Sequence, residues 1–146
     1  MNMKLAINNK ELTDCFFEDC RLAGIMAPIK DYQFCWNINN MLGFDFRLNN
    51  EIEIQLNKKS RNYFFAVYEF HEPAGSLSHF LYNNHFDGEY LLPEFRHLDF
   101  LWLMKGDMVS DKTLHELLNS IRTINGIQLV VELTNEKIRN KEHLVF

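Results

Sequence analysis

Between Phe44 and Leu56 the chain alternates apolar and polar side chains, and this pattern constrains its fold more than any other. Phe44, Phe46 and Leu48 are separated by Asp45 and Arg47, while Ile52, Ile54 and Leu56 are separated by Glu53 and Gln55. Successive side chains of a strand point to opposite faces. A period of two therefore predicts strands with one buried and one wet face. The run that follows, RNYFFAVYEFHE, is apolar on both faces and rich in aromatics, which predicts a central strand. Such a sheet needs a second layer to cover its apolar face.

Two segments can supply that layer. CRLAGIMA, Cys20 to Ala27, reads as a first strand, and PIKDYQFCWNINNML after it reads as a helix. Pro28 suits a first helical turn because its missing N–H would be unpaired there. Asp31 complements the positive end of the helix dipole, and Gly43 suits a left-handed stop. Tyr32, Cys35, Trp36 and Asn39 share one face, with Phe34, Ile38, Met41 and Leu42 widening the apolar side. The clearer helix is SDKTLHELLNSIRTI. Leu114, Leu117, Leu118 and Ile121 form a core-facing stripe at helical spacing, and Ser110 or Asp111 can cap the start.

The remaining strands are set out by turn signals. Pro73–Ser76 predicts a turn into LSHFLYNN, which should pair back antiparallel, and HFDGEY should turn around Asp87 and Gly88. LDFLWLM, Leu98 to Met104, is another strand, with Leu98, Phe100, Trp102 and Met104 expected on one side. IQLVVEL should turn Ile127, Leu129, Val131 and Leu133 inward. The expected fold class is α+β: a single domain over residues 1–146, with a largely antiparallel sheet and two main helices packed on one face. Residues 1–14 are expected to be partly flexible, with one helical turn around Leu12.

Composition bounds the function. With 146 residues, 47% hydrophobic and thirteen Phe, the chain can bury one sizeable core without metals or disulfides. A net charge of −5 repels phosphate backbones, so no nucleic-acid partner is expected. NKKSR, Asn57 to Arg61, is the nearest approach to a basic cluster and reads as a solvated hairpin turn. Three cysteines, Cys15, Cys20 and Cys35, have neither disulfide nor zinc-site spacing and read as reduced thiols. The apolar run after Lys4 is too short for a signal-peptide core, and the longest, Tyr63 to Tyr68, is too short for a membrane span. The chain is accordingly expected to be cytoplasmic, with no membrane contact.

Chemistry concentrates in LLPEFRHLDFLWLMKGD, Leu91 to Asp107. Pro93 and Glu94 suit the start of a short helical turn, and Asp99 enters an apolar strand, where a carboxylate must find donors. Glu94, His97 and Asp99 are the candidate binding residues. Two carboxylates can divide acid and base roles when their environments push their pKa values apart. The plainer expectation is that Glu94 supports a turn and Asp99 ties down backbone N–H groups or an arginine, Arg96 or Arg47. Among the six histidines, His71 and His79 flank the Pro73 turn and could face one another, with Glu72 pointing away. Nothing else resembles a metal cluster, phosphate loop or nucleophile elbow, so no cofactor, metal or catalytic residue is assigned.

LPEFRHLDF also resembles the signature of the IPExxxVDY family, small uncharacterised bacterial proteins. Leu92, Pro93 and Glu94 stand at the Ile-Pro-Glu places and Leu98, Asp99 and Phe100 at the Val-Asp-Tyr places. Pro93, Glu94 and Asp99 are identical, while Phe100 lacks the phenolic hydroxyl of the pattern. RLAGIMAPIKDYQFCWNINNMLGFDF is similar to the family's early strand and the helix after it. The resemblance implies no established activity. The leading expectation is a non-enzymatic module that binds a protein partner or forms a homo-oligomer. The alternative is a small-molecule-binding protein or enzyme with a site near Glu94, His97 and Asp99.

Overall fold

In the computed structural model, which describes residues 10–52 and 54–146, the strands are β1 (Arg21–Met26), β2 (Arg47–Leu48), β3 (Ile54–Lys58), β4 (Arg61–Phe65), β5 (Val67–His71), β6 (Ser78–Asn83), β7 (His85–Phe86), β8 (Glu89–Tyr90), β9 (Phe100–Lys105) and β10 (Leu129–Leu133). The helices are α1 (10–16), α2 (Asp31–Leu42) and α3 (Asp111–Arg122). Six strands form one sheet in the order β10-β1-β9-β6-β5-β2, and each of its pairings is antiparallel. The pairs β3-β4 and β7-β8 are separate hairpins. Helix α1 covers the position of the helical turn expected around Leu12. Residues 1–9, part of the stretch expected to be flexible, lie outside the described residues.

The helices sit together on one face. Phe34, Cys35 and Ile38 of α2 and Leu114, Leu118 and Ile121 of α3 share one buried cluster with Ala23, Ile25, Leu81, Phe100, Trp102 and Met104 from the sheet. The Phe34 ring stacks on Phe100 at 4.6 Å, and Trp102 is fully buried. Burying one such side chain stabilises the fold by roughly 1.5–3 kcal/mol. This is the α+β arrangement read from the sequence, a largely antiparallel sheet with α2 and α3 on one side.

The opposite sheet face is also apolar and is covered without long helices. Leu22, Phe80, Tyr82, Leu101, Leu103 and Leu133 pack there against Phe16, the β3-β4 hairpin and the C-terminal residues Ile138 and Leu144. The Tyr82 hydroxyl donates to the Leu144 carbonyl at 2.7 Å, holding the chain end across this face. The sheet is therefore the middle layer of three.

Several local expectations are corrected. RNYFFAVYEFHE is not one central strand. The ladder breaks at Ala66, so β4 joins the hairpin with β3, and β5 lies next to the short edge strand β2. The inner strands are β1, β9, β6 and β5, and β9 carries five consecutive buried residues. Pro28 precedes α2 rather than occupying its first turn. Lys30 is the N-cap, with its N–H donating to the Gln33 side chain at 3.3 Å. The α2 face was also misjudged: Tyr32, Trp36 and Met41 are exposed, and the buried stripe is Phe34, Cys35 and Ile38. Gly43 does end α2 in the left-handed conformation, at φ 76°. In β10, Val130 packs toward the helices while Leu129, Val131 and Leu133 pack on the opposite face.

Leu98 departs from its expected side as well, because the ladder starts only at Phe100. It joins the face opposite the helices, and its side chain lies over Gly24 of β1. A Cβ at Gly24 would overlap the Leu98 Cδ1 atom and come within 3.2 Å of Leu133 Cδ1, so this close approach requires glycine.

Candidate functional site

The segment that carries Glu94, His97 and Asp99 is shaped by a residue that sequence reasoning missed. Asn84, fully buried between β6 and β7, donates from Nδ2 to the carbonyls of Phe95 and Leu98 at 3.0 and 2.9 Å. Its Oδ1 accepts from the Leu92 N–H at 2.8 Å. Its backbone N–H donates to the Asp99 carbonyl at 3.0 Å, and its carbonyl accepts from Leu91 N–H at 2.9 Å. One amide side chain thus takes up the backbone polar groups of a buried loop, groups that would each be costly unpaired. The sequence signal was a lone amide pair, Asn83-Asn84, ending the aromatic strand LSHFLYNN.

Pro93–Phe95 forms the short helical turn expected at Pro-Glu, with Pro93 at its first position. Glu94 does more than start that turn. Its Oε2 accepts from the backbone N–H groups of Arg139 and Asn140 at 2.7 and 2.9 Å, and its Oε1 accepts from Asn140 Nδ2 at 2.8 Å. Burial pushes the carboxyl pKa up. The hydrogen bonds, led by that from the Asn140 side chain, outweigh burial, and the pKa lies below the ordinary glutamate value. Nearby, His143 donates from Nδ1 to the Leu91 carbonyl at 2.7 Å. Both contacts fasten the C-terminal segment to this loop.

Asp99 serves a different junction. Its Oδ2 accepts from the Ala27 N–H at 2.8 Å, and its backbone N–H donates to the Ile25 carbonyl at 2.8 Å. These bonds fix the exit of β1 just before α2. Burial raises its pKa, opposed by the Ala27 N–H and the charge field of His85. The two arginines weighed as its partners lie elsewhere: Arg47 pairs with Asp45, and Arg96 sits over the Tyr90 ring. Asp99 lines a cleft of about 240 Å³ with Lys30, Asp31, Asn83 and His85. Asp31 at its rim accepts from the Tyr68 hydroxyl at 3.0 Å.

Glu94 and Asp99 therefore have pKa values displaced in opposite directions, yet they hold different parts of the chain. Their carboxylates bond residues 139–140 and Ala27 respectively, and His97 is exposed beside the Phe95 ring. No hydrogen bond or ion pair among the described residues joins any two of the three.

The histidine pair is likewise separated. His71 pairs with Ser78 and packs against Phe80 on one face, whereas His79 pairs with Phe70 and points to the other. Glu72 lies just beyond the end of β5, on the face opposite His71 as strand parity leads one to expect, and because His79 is on that same face rather than facing His71, Glu72 meets it. The bond between His79 Nε2 and Glu72 Oε2 is 2.6 Å. On the other side of the ring, Trp102 Nε1 donates to His79 Nδ1 at 2.9 Å. Indole nitrogen can only donate, so Nδ1 carries no proton and Nε2 donates to Glu72. His79 is 2% exposed among Phe44, Phe46, Phe70 and Trp102, and burial lowers its pKa despite the glutamate. Among the described residues no group of three His, Cys, Asp or Glu is arranged to hold a metal ion.

The other prominent feature is the outer face of α2. Tyr32 is 59% and Trp36 65% exposed, and together with Ile29, Gln33 and Asn37 they line a shallow cleft of about 610 Å³. From Tyr32 to Leu42 the helix contains no charged residue. Helix α3, by contrast, exposes Asp111, Lys112, Glu116 and Arg122. A solvated face ordinarily carries charges, so the α2 face has the composition of a contact surface: aromatic, Met and amide side chains without Lys, Asp or Glu.

Among the described residues no helix is long and apolar enough to cross a membrane. No protein-family model matches the chain, and no curated protein does.

Proposed function

We propose that this chain is a non-enzymatic cytoplasmic module that binds a protein partner, or itself, through the outer face of α2. The observation that carries the reading is the uncharged helix surface on which Tyr32 and Trp36 stand 59% and 65% exposed. Trp and Tyr are among the residues that contribute most to protein association. The alternative, a small-molecule or catalytic site on Glu94, His97 and Asp99, has less support. The oxygens of Glu94 are occupied by residues 139–140, and Asp99 holds Ala27. The proposal includes membership of the IPExxxVDY family, supported by Pro93, Glu94 and Asp99. At its Tyr place Phe100 stacks on Phe34 inside the core.

Affinity capture from a bacterial lysate, with wild type and Trp36→Glu as baits, tests this reading. The expected result is a defined protein, or the chain itself, retained by wild type and lost by the variant. Identical retention by both baits, or none by either, would count against it. A small molecule co-purifying in a form that Asp99→Asn releases would favour the alternative.

A further inference from the structure

The ladder break at Ala66 opens a space as well as dividing two strands. Where β4 leaves the main sheet, a cleft of about 400 Å³ lies between the β3-β4 hairpin and that sheet, with Ala66 and Val67 in its wall. Three exposed apolar side chains from three separate sheets converge on it: Leu48 of β2, Phe64 of β4 and Phe86 of β7. The buried Phe65 ring meets that of Phe86 edge-on at 6.2 Å. This cleft shares Asp31 and Asn83 with the cleft of about 240 Å³ at Asp99, so an apolar chamber and a polar one adjoin. Their size, and an apolar wall with a few convergent polar groups, suit a small molecule.

The polar chamber holds two acids, Asp31 and Asp99, and two bases, Lys30 and His85. Among the described residues no hydrogen bond or ion pair joins either base to either acid. Asp31 uses its oxygens to accept from the Tyr32 N–H and the Tyr68 hydroxyl at 2.9 and 3.0 Å. Asp99 accepts from the Ala27 N–H through Oδ2, and its Oδ1 accepts no hydrogen bond among the described residues. Burial raises the pKa of this carboxyl, and a cation placed against it would restore the charged form.

We propose that the adjoining clefts bind a free amino acid with a large apolar side chain. Its ammonium donates to Asp99 Oδ1. Its carboxylate accepts from Lys30 and from a ring N–H of His85, and its side chain lies among Leu48, Phe64 and Phe86. The polar chamber selects the head group. An amine alone would leave Lys30 and His85 unanswered, and an acid alone would leave Asp99 so. The apolar chamber selects the side chain, because a polar one would lose its water there without gaining partners. This goes beyond the α2 reading and does not depend on it. Of the residues singled out in the sequence it uses Asp99, while Glu94 and His97 take no part.

Amide chemical-shift titration of the isotope-labelled full chain tests the site. The probes are L-phenylalanine and L-leucine, with phenethylamine and hydrocinnamate each lacking one of the two charges and L-serine lacking the apolar side chain. The variants are Asp99→Asn, which keeps an acceptor for Ala27, and Phe64→Ser at an exposed position, with Trp36→Glu as control and circular dichroism confirming each fold. The expected result is saturable shifts around residues 30–31, 64–67, 83–86 and 99 with L-phenylalanine or L-leucine. Both single-charge analogues, L-serine and both site variants should bind roughly tenfold more weakly or worse, and Trp36→Glu should titrate as wild type. No saturable shift with either apolar amino acid at millimolar concentration overturns the proposal. Equal binding of phenethylamine or hydrocinnamate overturns the zwitterionic head, and undiminished binding by both folded site variants overturns the placement.

Discussion

Asn84 shows how a single buried amide can organise a segment that looks chemically active in sequence. Its three side-chain hydrogen bonds satisfy the Phe95 and Leu98 carbonyls and the Leu92 N–H. Asn84→Ala leaves those groups buried without partners and should cost about 2–4 kcal/mol. Asn84→Asp should be at least as damaging, because a carboxylate would face two carbonyl oxygens. Urea unfolding of both variants measures this, and a loss below about 1 kcal/mol for either would contradict the assigned role. His79 makes a prediction about pH. Its neutral form is required by the Trp102 N–H, and a second ring proton would set two donors against each other. A pKa lowered on folding means that the unfolded chain takes up the proton first. Stability from this group is then complete above the ordinary histidine value of about 6.5 and declines as pH falls below it. Among the described residues the charged group on the ring is Glu72, which opposes the shift without reversing it. In His79→Gln, the amide can accept from Trp102 and donate to Glu72 but does not titrate. Its unfolding free energy should fall less than that of wild type between about pH 7 and pH 5.5. Parallel pH profiles would contradict the assignment.

At the scale of elements, the segment from Leu91 to Phe100 ties three parts of the chain together: the end of β6, the exit of β1 and the C-terminal segment. The sequence offered Glu94 either as a candidate binding residue with His97 and Asp99 or, more plainly, as the support of a turn. With three donors on its carboxylate, Glu94→Ala should cost about 1–3 kcal/mol, comparable with Asp99→Ala. Glu94→Ala should also loosen residues 135–146 selectively, seen as faster hydrogen exchange there, while Asp99→Ala should act on residues 25–30. Asp99→Asn keeps an acceptor for the Ala27 N–H and should cost less than Asp99→Ala. Exchange that rises evenly over the whole chain in both variants would sink this division of labour. Element type was legible where local pattern decides it, as in the α3 stripe of Leu114, Leu118 and Ile121, with Ser110 accepting from the Thr113 N–H as cap. It was legible too in the antiparallel return of β6 and in the stop at Gly43. Pattern failed where a ladder breaks. Ala66 divides one apolar run between two sheets, and Leu98 changes side because its strand begins two residues later. The partners of Glu94 lie 45 and 46 residues away, a separation that no local spacing announces.

At the scale of the molecule, the three-layer arrangement explains why α2 can spare its outer face. Phe34, Cys35 and Ile38, with the half-buried Leu42, join it to the core, and the second sheet face is closed by the β3-β4 hairpin and the chain end. Tyr32 and Trp36 therefore stand largely exposed in the isolated chain. Sequence alone placed them in the core, because aromatic residues on a helix ordinarily pack inward and the register of the stripe depends on where the helix meets the sheet. Replacing Trp36 with Glu should leave the thermal midpoint nearly unchanged, as expected for an exposed position, while abolishing association. The chain's two tryptophans supply a direct probe, since Trp102 is fully buried and Trp36 is 65% exposed. Acrylamide quenching of tryptophan emission against protein concentration is the most direct test that the α2 face is a protein-contact surface. The isolated chain should show a quenchable component that is absent from Trp36→Phe and is lost when the α2 face is covered, whether by a second copy on concentration or by a captured protein partner. A Trp36 component that remains equally quenchable at every concentration, and in the purified complex with any protein that the wild-type bait captures, would contradict that role.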